Sequence, residues 1–419
     1  MKCSGCNYQI TNTEYNFCPI CGIELSQDIG SRINEEGEFH LHRIKTFWEK
    51  DDCGKILFEN FEAIRNAGEI GFSGFGDSPV RKQLGYLTHT YLYNLRRFSF
   101  LYYSPNSLLD FYHIGKLIGY ITASVGIPVF GIHEILSVLN KTGKMWNIFG
   151  NNKVQDAIRT AWINHNTAIP YLEEINKDKE TITFRLDESS TFIHNSIKPC
   201  CFGEMGALAG QCEALFTGSL WDSKEITCKC KGDDRCIIEV YSHKKETTPE
   251  IELFEKNEIN DILKWVINST VYRKPCNRPT LGNDYTIFAE QVINYILLTK
   301  TTGHQIISKQ SGIIVGERIS EKAELKGQDK TLEYLQDLFL YLKAGIIQQP
   351  ETSGDRITIQ MDESVYSSGV NNIGMKLDIF LAGIIEGVLC QATSEKWQVS
   401  ETKCLANGDE HCEFICKKA

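Results

Sequence analysis

Apolar residues recur every three to four positions in several long stretches of the chain, which is the spacing of an amphipathic helix. This pattern predicts helices over residues 46–66, 108–124, 133–146, 285–303 and 330–345. Two short runs, 182–187 and 357–362, are predicted as strands and lie downstream of these helices. Helices therefore precede strands, and the same order occurs twice along the chain.

A sequence repeat accounts for this order. The run ITFRLDES (182–189) matches ITIQMDES (357–364), and each run is followed by a helix with a GxxxG pair. The repeat ends in a glutamate and two cysteines at matching spacing, which are Glu225, Cys228 and Cys236 in one copy and Glu401, Cys404 and Cys412 in the other. We infer a duplication whose first copy ends near Ser242. Helices followed by antiparallel strands within each copy predict the α+β class.

The composition narrows the class of protein. A chain of 419 residues predicts two or three domains. The formal net charge of −10 excludes a dominant nucleic-acid or anionic-membrane surface, since such surfaces need clustered Lys and Arg. The N-terminus lacks the apolar run of a signal peptide, and the most apolar stretch, 111–132, is interrupted by His113 and Lys116. We therefore predict a soluble, cytoplasmic protein.

Two CxxC pairs lie close to the N-terminus. They contain Cys3, Cys6, Cys18 and Cys21. Each pair presents two thiolates to one ion, and four thiolates complete the tetrahedral set that zinc prefers. So short a segment buries too little surface to fold without metal. We predict a zinc ribbon over residues 1–26, with a rubredoxin-type iron site or a mobile thiol pair as alternatives.

The repeated cysteines lie around polar turns that predict β-hairpins. In the first copy a loop over residues 231–233, with Gly232 at a positive φ angle, places Cys228 opposite Cys236. Facing thiols are close enough to share an ion. Glu225 lies three residues before Cys228, so the two side chains share a face only if a bulge separates them. Spacing alone favours Cys230 over Glu225 as a ligand.

Further residues link these hairpins to a known family. The combination of CFGEMGALAGQCEALF, EITC and GDDRC resembles the 4-vinyl reductase domain, which also occurs in the sensory region of aromatic-responsive transcriptional activators. The resemblance implies a structural zinc beside a buried pocket for an aromatic ligand. It implies Cys201, Glu225, Cys228 and Cys236 as ligands in the first copy. The second copy departs from the family pattern by an aspartate, and its implied ligands are Asp378, Glu401, Cys404 and Cys412. The second site is expected to be the weaker one.

The search for catalytic groups gives little support for an enzyme. Asp187 and Glu188 lie at a strand end, where adjacent carboxylates face opposite ways and where turns favour such residues. His113 and His165 can contact a ligand, although a histidine among apolar residues is more often a packed core residue. Neither a GxGxxG motif after a strand nor a GxSxG motif occurs. We leave the question of an enzyme open and lean towards none.

The predicted organisation follows from the ribbon and the resemblance. The domains are 1–26, a zinc ribbon; 27–97, a linker and helical extension; 98–243, the first 4-vinyl reductase-like domain; 244–276, a connector; and 277–419, the second such domain. The resemblance implies a zinc-containing protein that binds a hydrophobic or aromatic ligand and signals to a protein partner, which the ribbon is suited to dock. The two repeats can pair as a pseudo-dimer, or the chain as a homodimer. Alternatives are an enzyme or accessory factor for a vinyl-bearing tetrapyrrole-like substrate, and a ligand-free scaffold.

Overall fold

The structure is a computed structural model. It describes residues 81–129, 155, 158–159, 162–163, 165–194, 196–215, 220–243, 249, 251–300, 302–370 and 374–419. The four N-terminal cysteines and the predicted helices over 46–66 and 133–146 lie outside these ranges. Within them the chain forms eight α-helices and eleven strands, and every strand pairing is antiparallel. The fold is of the α+β class. None of the helices in these ranges is long and apolar enough to cross a bilayer.

The first half of the structure, residues 81–243, contains three described helices and a four-stranded sheet. Its elements are β1 (Leu87–His89), α1 (Thr90–Tyr103), α2 (Leu108–Val129), β2 (Ile169–Asn176), β3 (Thr181–Asp187), α3 (Phe202–Leu215), β4 (Leu220–Thr227) and β5 (Cys236–His243). The strand order in the sheet is β2-β3-β5-β4. Helix α4 (Lys256–Val271) then connects the two halves and packs its apolar face against α1.

The second half, residues 278–419, repeats this order. Its elements are β6 (Asp284–Thr286), α5 (Ile287–Lys300), α6 (Thr302–Lys322), α7 (Gln328–Tyr341), β7 (Ile346–Ile347), β8 (Glu351–Ser353), β9 (Arg356–Asp362), α8 (Ile379–Thr393), β10 (Trp397–Lys403) and β11 (Cys412–Lys418). Its main sheet has the order β10-β11-β9-β7, with β8 also paired to β9. Each half therefore carries a short strand, long helices, a glycine-containing helix and a final hairpin.

The predicted helices over 108–124, 285–303 and 330–345 are confirmed as α2, α5 and α7. The strand predictions over 182–187 and 357–362 are also confirmed, and alternate side chains of β3 and β9 are buried as in a sheet with one covered face. Sequence analysis did not predict α1, α4 or α6. These elements were missed although each is at least 14 residues long.

The GxxxG glycines lie where two helices cross. A Cβ atom on Gly206 would overlap the carbonyl oxygen of Tyr112 on α2, and one on Gly383 would overlap the backbone of α6. On the facing helices, Gly115 and Gly312 approach α3 and α8 in the same way. These glycines therefore let the helix backbones come into direct contact, which confirms that their role is close packing.

Two segments cross between the halves: residues 81–103, here called the first arm, and residues 278–300, the second arm. Their strands β1 and β6 pair with each other, with Thr88 opposite Tyr285. Helix α1 of the first arm packs against α6, and α5 of the second arm packs against α2. Each arm thus lies against the other half, and we call the resulting contact the seam.

One buried arginine fixes each arm. Arg81 donates to the carbonyl oxygen of Lys343 at 2.7 Å, whereas Arg278 donates to the carbonyl oxygen of Glu188 at 2.8 Å. The side chains of Arg81 and Arg278 are almost fully buried, and burial lowers the pKa of each to about 10. Because they donate to carbonyl groups far away in sequence, they bind the two halves together.

The glutamates of the repeated Asp-Glu-Ser motif complete the seam. The carboxylate of Glu188 accepts the backbone N–H groups of Thr280 and Leu281 at 2.8 to 3.2 Å. Glu363 accepts those of Gln83 and Leu84 in the same way. Both glutamates have a φ angle of 52°, so a strained turn aims each carboxylate at the opposite arm. These acids serve as contacts between the halves.

Candidate metal clusters and cavity

Four side chains of the first half form what we call the first cluster. They are Cys201 at the start of α3, Glu225 on β4, Cys228 after β4 and Cys236 at the start of β5. Their ligand atoms all lie within 4.8 Å of one another, and the sulfur atoms of Cys201 and Cys236 are 3.7 Å apart. Helix α3 thus contributes one thiol, and the β4–β5 hairpin contributes the other three groups.

Local backbone features explain how the hairpin brings these groups together. The β4–β5 register shifts between Glu225 and Thr227, which confirms the bulge that a shared face for Glu225 and Cys228 requires. Gly232 has a φ angle of 98°, so the turn also adopts the predicted left-handed conformation. The backbone N–H of Cys228 donates to a carboxylate oxygen of Asp233 at 2.8 Å. The hairpin therefore fixes both cysteines and the glutamate through its own geometry.

The second half holds an equivalent set, the second cluster. Its members are Asp378, Glu401, Cys404 and Cys412, whose ligand atoms also lie within 4.8 Å of one another. The register of β10 and β11 shifts between Glu401 and Lys403, and Gly408 has a φ angle of 90°. The N–H of Cys404 donates to Asp409 at 2.8 Å, as its counterpart does in the first half. Both hairpins are therefore built on one plan.

Each cluster contains a buried carboxylate oxygen that no protein group satisfies. Oε2 of Glu225 accepts the N–H of Cys201, and Oε2 of Glu401 accepts the N–H of Asp378, both at 3.0 Å. Oε1 of each glutamate is buried without a hydrogen-bond partner. Such an oxygen is costly to bury, and a cation shared with the thiols would satisfy it. The donor sets of both clusters therefore fit a bound divalent metal ion.

The pKa values in the clusters follow from burial and from contacts between the thiols. The pKa of the Glu225 carboxyl is raised well above its usual value by burial, and the Cys228 thiolate adds to the shift. Burial likewise raises the pKa of Glu401 to about 12. Hydrogen bonds from the neighbouring thiols, that of Cys201 first, lower the pKa of Cys228. A divalent cation would lower the carboxyl pKa values again, since positive charge favours the carboxylate.

The fourth ligand position differs between the clusters. Asp378 of the second cluster accepts hydrogen bonds from Ser364 and, at 3.0 Å, from Ser367, and the thiol of Cys412 also lies 3.0 Å from it. The thiol of Cys201 has a weaker neighbour, since the hydroxyl of Ser189 is 3.9 Å away. The aspartate therefore has hydrogen-bond partners within the protein, whereas the cysteine has mainly the other cluster thiols.

Cys230 is also buried beside the first cluster. Its thiol lies 3.5 Å from the carbonyl oxygen of Thr191 and forms hydrogen bonds with the cluster cysteines. The four groups that lie within 4.8 Å of one another include Glu225 and leave out Cys230. Spacing alone favours Cys230 because it ignores the bulge, which turns Glu225 inwards.

A cavity lies beside helices α2 and α3 of the first half. It encloses about 690 Å³ of empty space, counted out to its opening. Five aromatic side chains line it, which are Tyr93, Phe111, Trp162, Tyr285 and Phe288. Pockets of this size with a mostly apolar lining are typical of sites for small organic molecules.

A few polar groups interrupt the apolar lining. Trp162 Nε1 donates to Gln211 Oε1 at 3.0 Å, and this bond fixes both side chains on the cavity wall. The carboxylate of Glu204 is engaged by hydroxyl groups of the segment after β3, at 2.7 Å from Thr191. His165 also lines the cavity, and burial lowers its pKa to about 4, so the ring is neutral at pH 7. The polar groups are thus held in fixed places.

Sequence analysis foresaw this site only in part. His165 was singled out as a residue that can contact a ligand, and it does line the cavity. His113 was given the same two interpretations, but it is exposed and contributes nothing to the lining. Trp162, Gln211 and Tyr285 were missed, because residues from distant segments meet only in the folded chain.

The equivalent positions of the second half are occupied by tightly packed apolar side chains. Matching backbone hydrogen bonds fix the correspondence: the N–H of Thr167 donates to Trp162, and that of Ala344 donates to Phe339. The GxxxG alignment likewise pairs Gly203 with Phe380. The second-half residues at positions of the cavity wall are fully or almost fully buried, and they include Phe339, Ala344, Val365, Phe380, Leu381, Ile384 and Val388.

Comparisons with known proteins support the family resemblance for part of the chain. Residues 357–418, which span β9, α8 and the second hairpin, match the family model of the 4-vinyl reductase domain. The uncharacterized protein MJ0150 of Methanocaldococcus jannaschii is 27% identical over 163 residues, which are 39% of this chain and 92% of that protein. The motif resemblance and the family match therefore agree on the second half.

Two solved structures are distantly similar. One is the phenol-responsive sensory domain of the transcription activator PoxR with phenol, at 14% identity and a TM-score of 0.29, covering 36% of this chain and 88% of that one. The other is trafficking protein particle complex subunit 3 from Naegleria fowleri, covalently bound to palmitic acid, at 15% identity and a TM-score of 0.24, covering 38% of this chain and 99% of that one.

Proposed function

We propose that the protein binds one small hydrophobic or aromatic molecule in the cavity and that it is a sensor or regulatory protein rather than an enzyme. The observation that carries this proposal is the cavity itself, with its aromatic lining and its few fixed polar groups. A ligand-free scaffold would be expected to fill this space, as the second half does with residues such as Phe380 and Ile384. The cavity therefore favours a binding protein over a scaffold.

We also propose that zinc occupies both clusters and the N-terminal ribbon. Thiolate and carboxylate ligands in a set of four are typical of structural zinc sites, which leave no open position for a substrate. In each cluster the ion would join the last hairpin to the start of the glycine-containing helix. Because α3 also forms one wall of the cavity, zinc in the first cluster would hold that wall in place.

The domain organisation supports a role in signalling. We propose two tandem 4-vinyl reductase-like domains, 98–243 and 277–419, of which the family match supports the second directly. The repeated motifs and the shared element order support the first. The ribbon, residues 1–26, would dock a partner protein and pass on the state of the cavity.

Binding can be tested with phenol and indole, two small aromatic probes that fit the volume of the cavity. Because Trp162 lies on the cavity wall, we expect each bound probe to change the intrinsic tryptophan fluorescence. This change should saturate with probe concentration and disappear in Trp162→Phe. Trp265→Phe is a matched control, since Trp265 lies on α4 and does not line the cavity. A fluorescence response that survives in Trp162→Phe, or no saturable binding of either probe, would count against the proposal.

Zinc can be tested by elemental analysis and unfolding. We expect two to three zinc ions per chain, and fewer than two would contradict structural zinc in both the ribbon and the first cluster. Cys201→Ser should release zinc and lower the free energy of unfolding more than Cys212→Ser does. Cys212 is a suitable control because it is also a buried free cysteine beside the same helix but lies outside the cluster. Equal effects would remove the support for Cys201 as a ligand.

The alternative of an enzyme acting on a vinyl-bearing tetrapyrrole-like substrate makes a different prediction. If Asp187 and Glu188 were an acid and a base, Asp187→Asn and Glu188→Gln should abolish turnover by purified protein with a reductant. In the structure the Glu188 carboxylate is engaged by two backbone N–H groups of the second arm. That contact favours a structural role for this acid.

A further inference from the structure

The cavity belongs to both halves of the protein. Five of its lining residues come from the second arm, and these are Tyr285, Thr286, Phe288, Ala289 and Ile293. The remaining ones come from the first half. Tyr285 stacks on Tyr93 across the boundary, with ring centroids 4.7 Å apart and an interplanar angle of 29°. A molecule in the cavity would therefore touch both sides of the seam.

The same segments that line the cavity also bond the halves together. The backbone N–H of Thr286 donates to the carbonyl oxygen of His165 at 3.2 Å, and both residues line the cavity. Arg278 donates to the carbonyl oxygen of Asn166, which lies between two lining residues. Any motion that separates the second arm from the first half would break these bonds and open the cavity at once.

The corresponding contact on the other side of the molecule is filled by protein. There the first arm meets the second half, and the backbone N–H of His89 donates to the carbonyl oxygen of Leu342 at 3.0 Å, as that of Thr286 does to His165. The positions that match Gly203 and Ala207 are Phe380 and Ile384, both completely buried. One of two equivalent contacts is thus solid, and the other is hollow.

We propose that the cavity ligand acts as the missing core of the hollow contact, so that occupancy tightens the second arm against the first half and a partner reads the state of this arm. This inference rests on the proposed function, because it requires a molecule in the cavity. A ligand that contacts both sides binds the closed arrangement better than an open one, and it must therefore shift the equilibrium towards closure. Tyr285 and Phe288 then contribute to ligand selection although they belong to the second half.

Hydrogen–deuterium exchange with phenol as probe tests this coupling on the full chain. Amides protected by the hollow contact, in peptides over 284–293, should exchange about 11-fold more slowly at a phenol concentration ten times its dissociation constant. Peptides over β9, in the core of the second sheet, should be unchanged. If phenol binds by the Trp162 fluorescence signal but slows exchange only in the first half, the coupling is wrong and the binding function stands.

A second arm of the experiment needs no ligand. Ala207→Ile copies the residue of the filled contact, and Ala289→Val fills the same space from the second arm. At least one of these variants should fold, slow exchange over 284–293 without phenol, and reduce phenol binding. Unchanged exchange in a folded variant that no longer binds phenol would overturn the inference. Absence of phenol and indole binding in the wild-type chain would overturn the proposed function instead.

Discussion

Gly203 and Ala207 face a cavity in the first half, whereas Phe380 and Ile384 occupy the same positions in the second half and fill its core. The surrounding frame is the same in both halves, down to the glycine contacts between helices and the bulge in each hairpin. A change in side-chain volume at a few positions therefore decides whether one copy of this frame has room for a ligand.

The polar groups differ in the same direction. Glu204 and Gln211 on the cavity side of α3 correspond to Leu381 and Val388 on α8. At the metal clusters the difference is the fourth ligand, a cysteine in the first half and an aspartate in the second. The comparison indicates that the first half has kept a binding site and that the second half mainly supplies a rigid counterpart.

The largest expected effect comes from removing the filling of the second half. Ile384→Ala deletes buried methyl groups next to a tight helix crossing and should lower the free energy of unfolding by about 2–5 kcal/mol. Ala207→Gly in the first half should cost about 1 kcal/mol, mostly through helix propensity, since its side chain already borders empty space. Urea unfolding measures both. Equal losses would mean that the two positions are packed alike.

Acid should weaken the seam through two buried histidines. Burial lowers the pKa of His89 and of His165 to about 4, below the usual value of 6.5. Between these values the unfolded chain binds more protons than the folded one, so stability is full above pH 6.5 and falls as the pH drops towards 4. The loss should be roughly 1 kcal/mol per pH unit for each histidine.

This pH dependence can be assigned by mutation. His89→Gln and His165→Gln should each flatten the curve of unfolding free energy between pH 6.5 and 4, as measured by urea denaturation at several pH values. His194→Gln is a control, because this side chain is exposed and lies outside both arms. A slope that persists in the double variant of His89 and His165 would assign the acid sensitivity to other groups.

Exchanging the fourth ligand should invert the order of the two metal clusters. Asp378→Cys gives the second cluster three thiolates, and Cys201→Asp gives the first cluster two. Zinc release to a chelator should become about tenfold slower at the second cluster and about tenfold faster at the first, since zinc favours thiolate ligands. Release rates that ignore both exchanges would show that this position is not a ligand.

The smallest effect is expected at the repeated acids of the seam. Glu188→Gln and Glu363→Gln weaken hydrogen bonds to backbone N–H groups of the opposite arm, and each should cost about 1 kcal/mol in unfolding free energy. Asp187→Asn, whose carboxylate pairs with Arg185 on the same strand, should be nearly neutral. A larger effect of Asp187→Asn than of Glu188→Gln would contradict the seam contact.

Much of the frame could be predicted because its signals are local. Helices α2, α5 and α7 bury apolar stripes, and β3 and β9 alternate between buried and half-buried residues. Helix α6 was missed for a physical reason. Its contact with α8 is made by Gly312 and Gly316, which bring backbone against backbone and leave no apolar stripe in the sequence.

The sites could be predicted only where chemistry is concentrated in the sequence. Cysteine spacing indicated the thiols of each hairpin, but the ligands that precede α3 and α8 were named from the family resemblance. The cavity could not be foreseen, because its walls come from both halves and its volume depends on small residues such as Gly203 and Ala207. The repeat did contain a clue, since Glu204 and Gln211 interrupt positions that are apolar in the other copy.

The central claim is that two copies of one frame bind two kinds of partner: metal in both, but a small molecule in the first alone. Native mass spectrometry of the intact, freshly purified chain, titrated with phenol, measures metal ions and bound probe together. The account predicts two cluster-bound zinc ions, a third in the N-terminal ribbon, and a single phenol molecule that Ala207→Ile removes. Two phenol molecules bound with similar affinity, or a chain that folds and binds phenol with no metal, would contradict it.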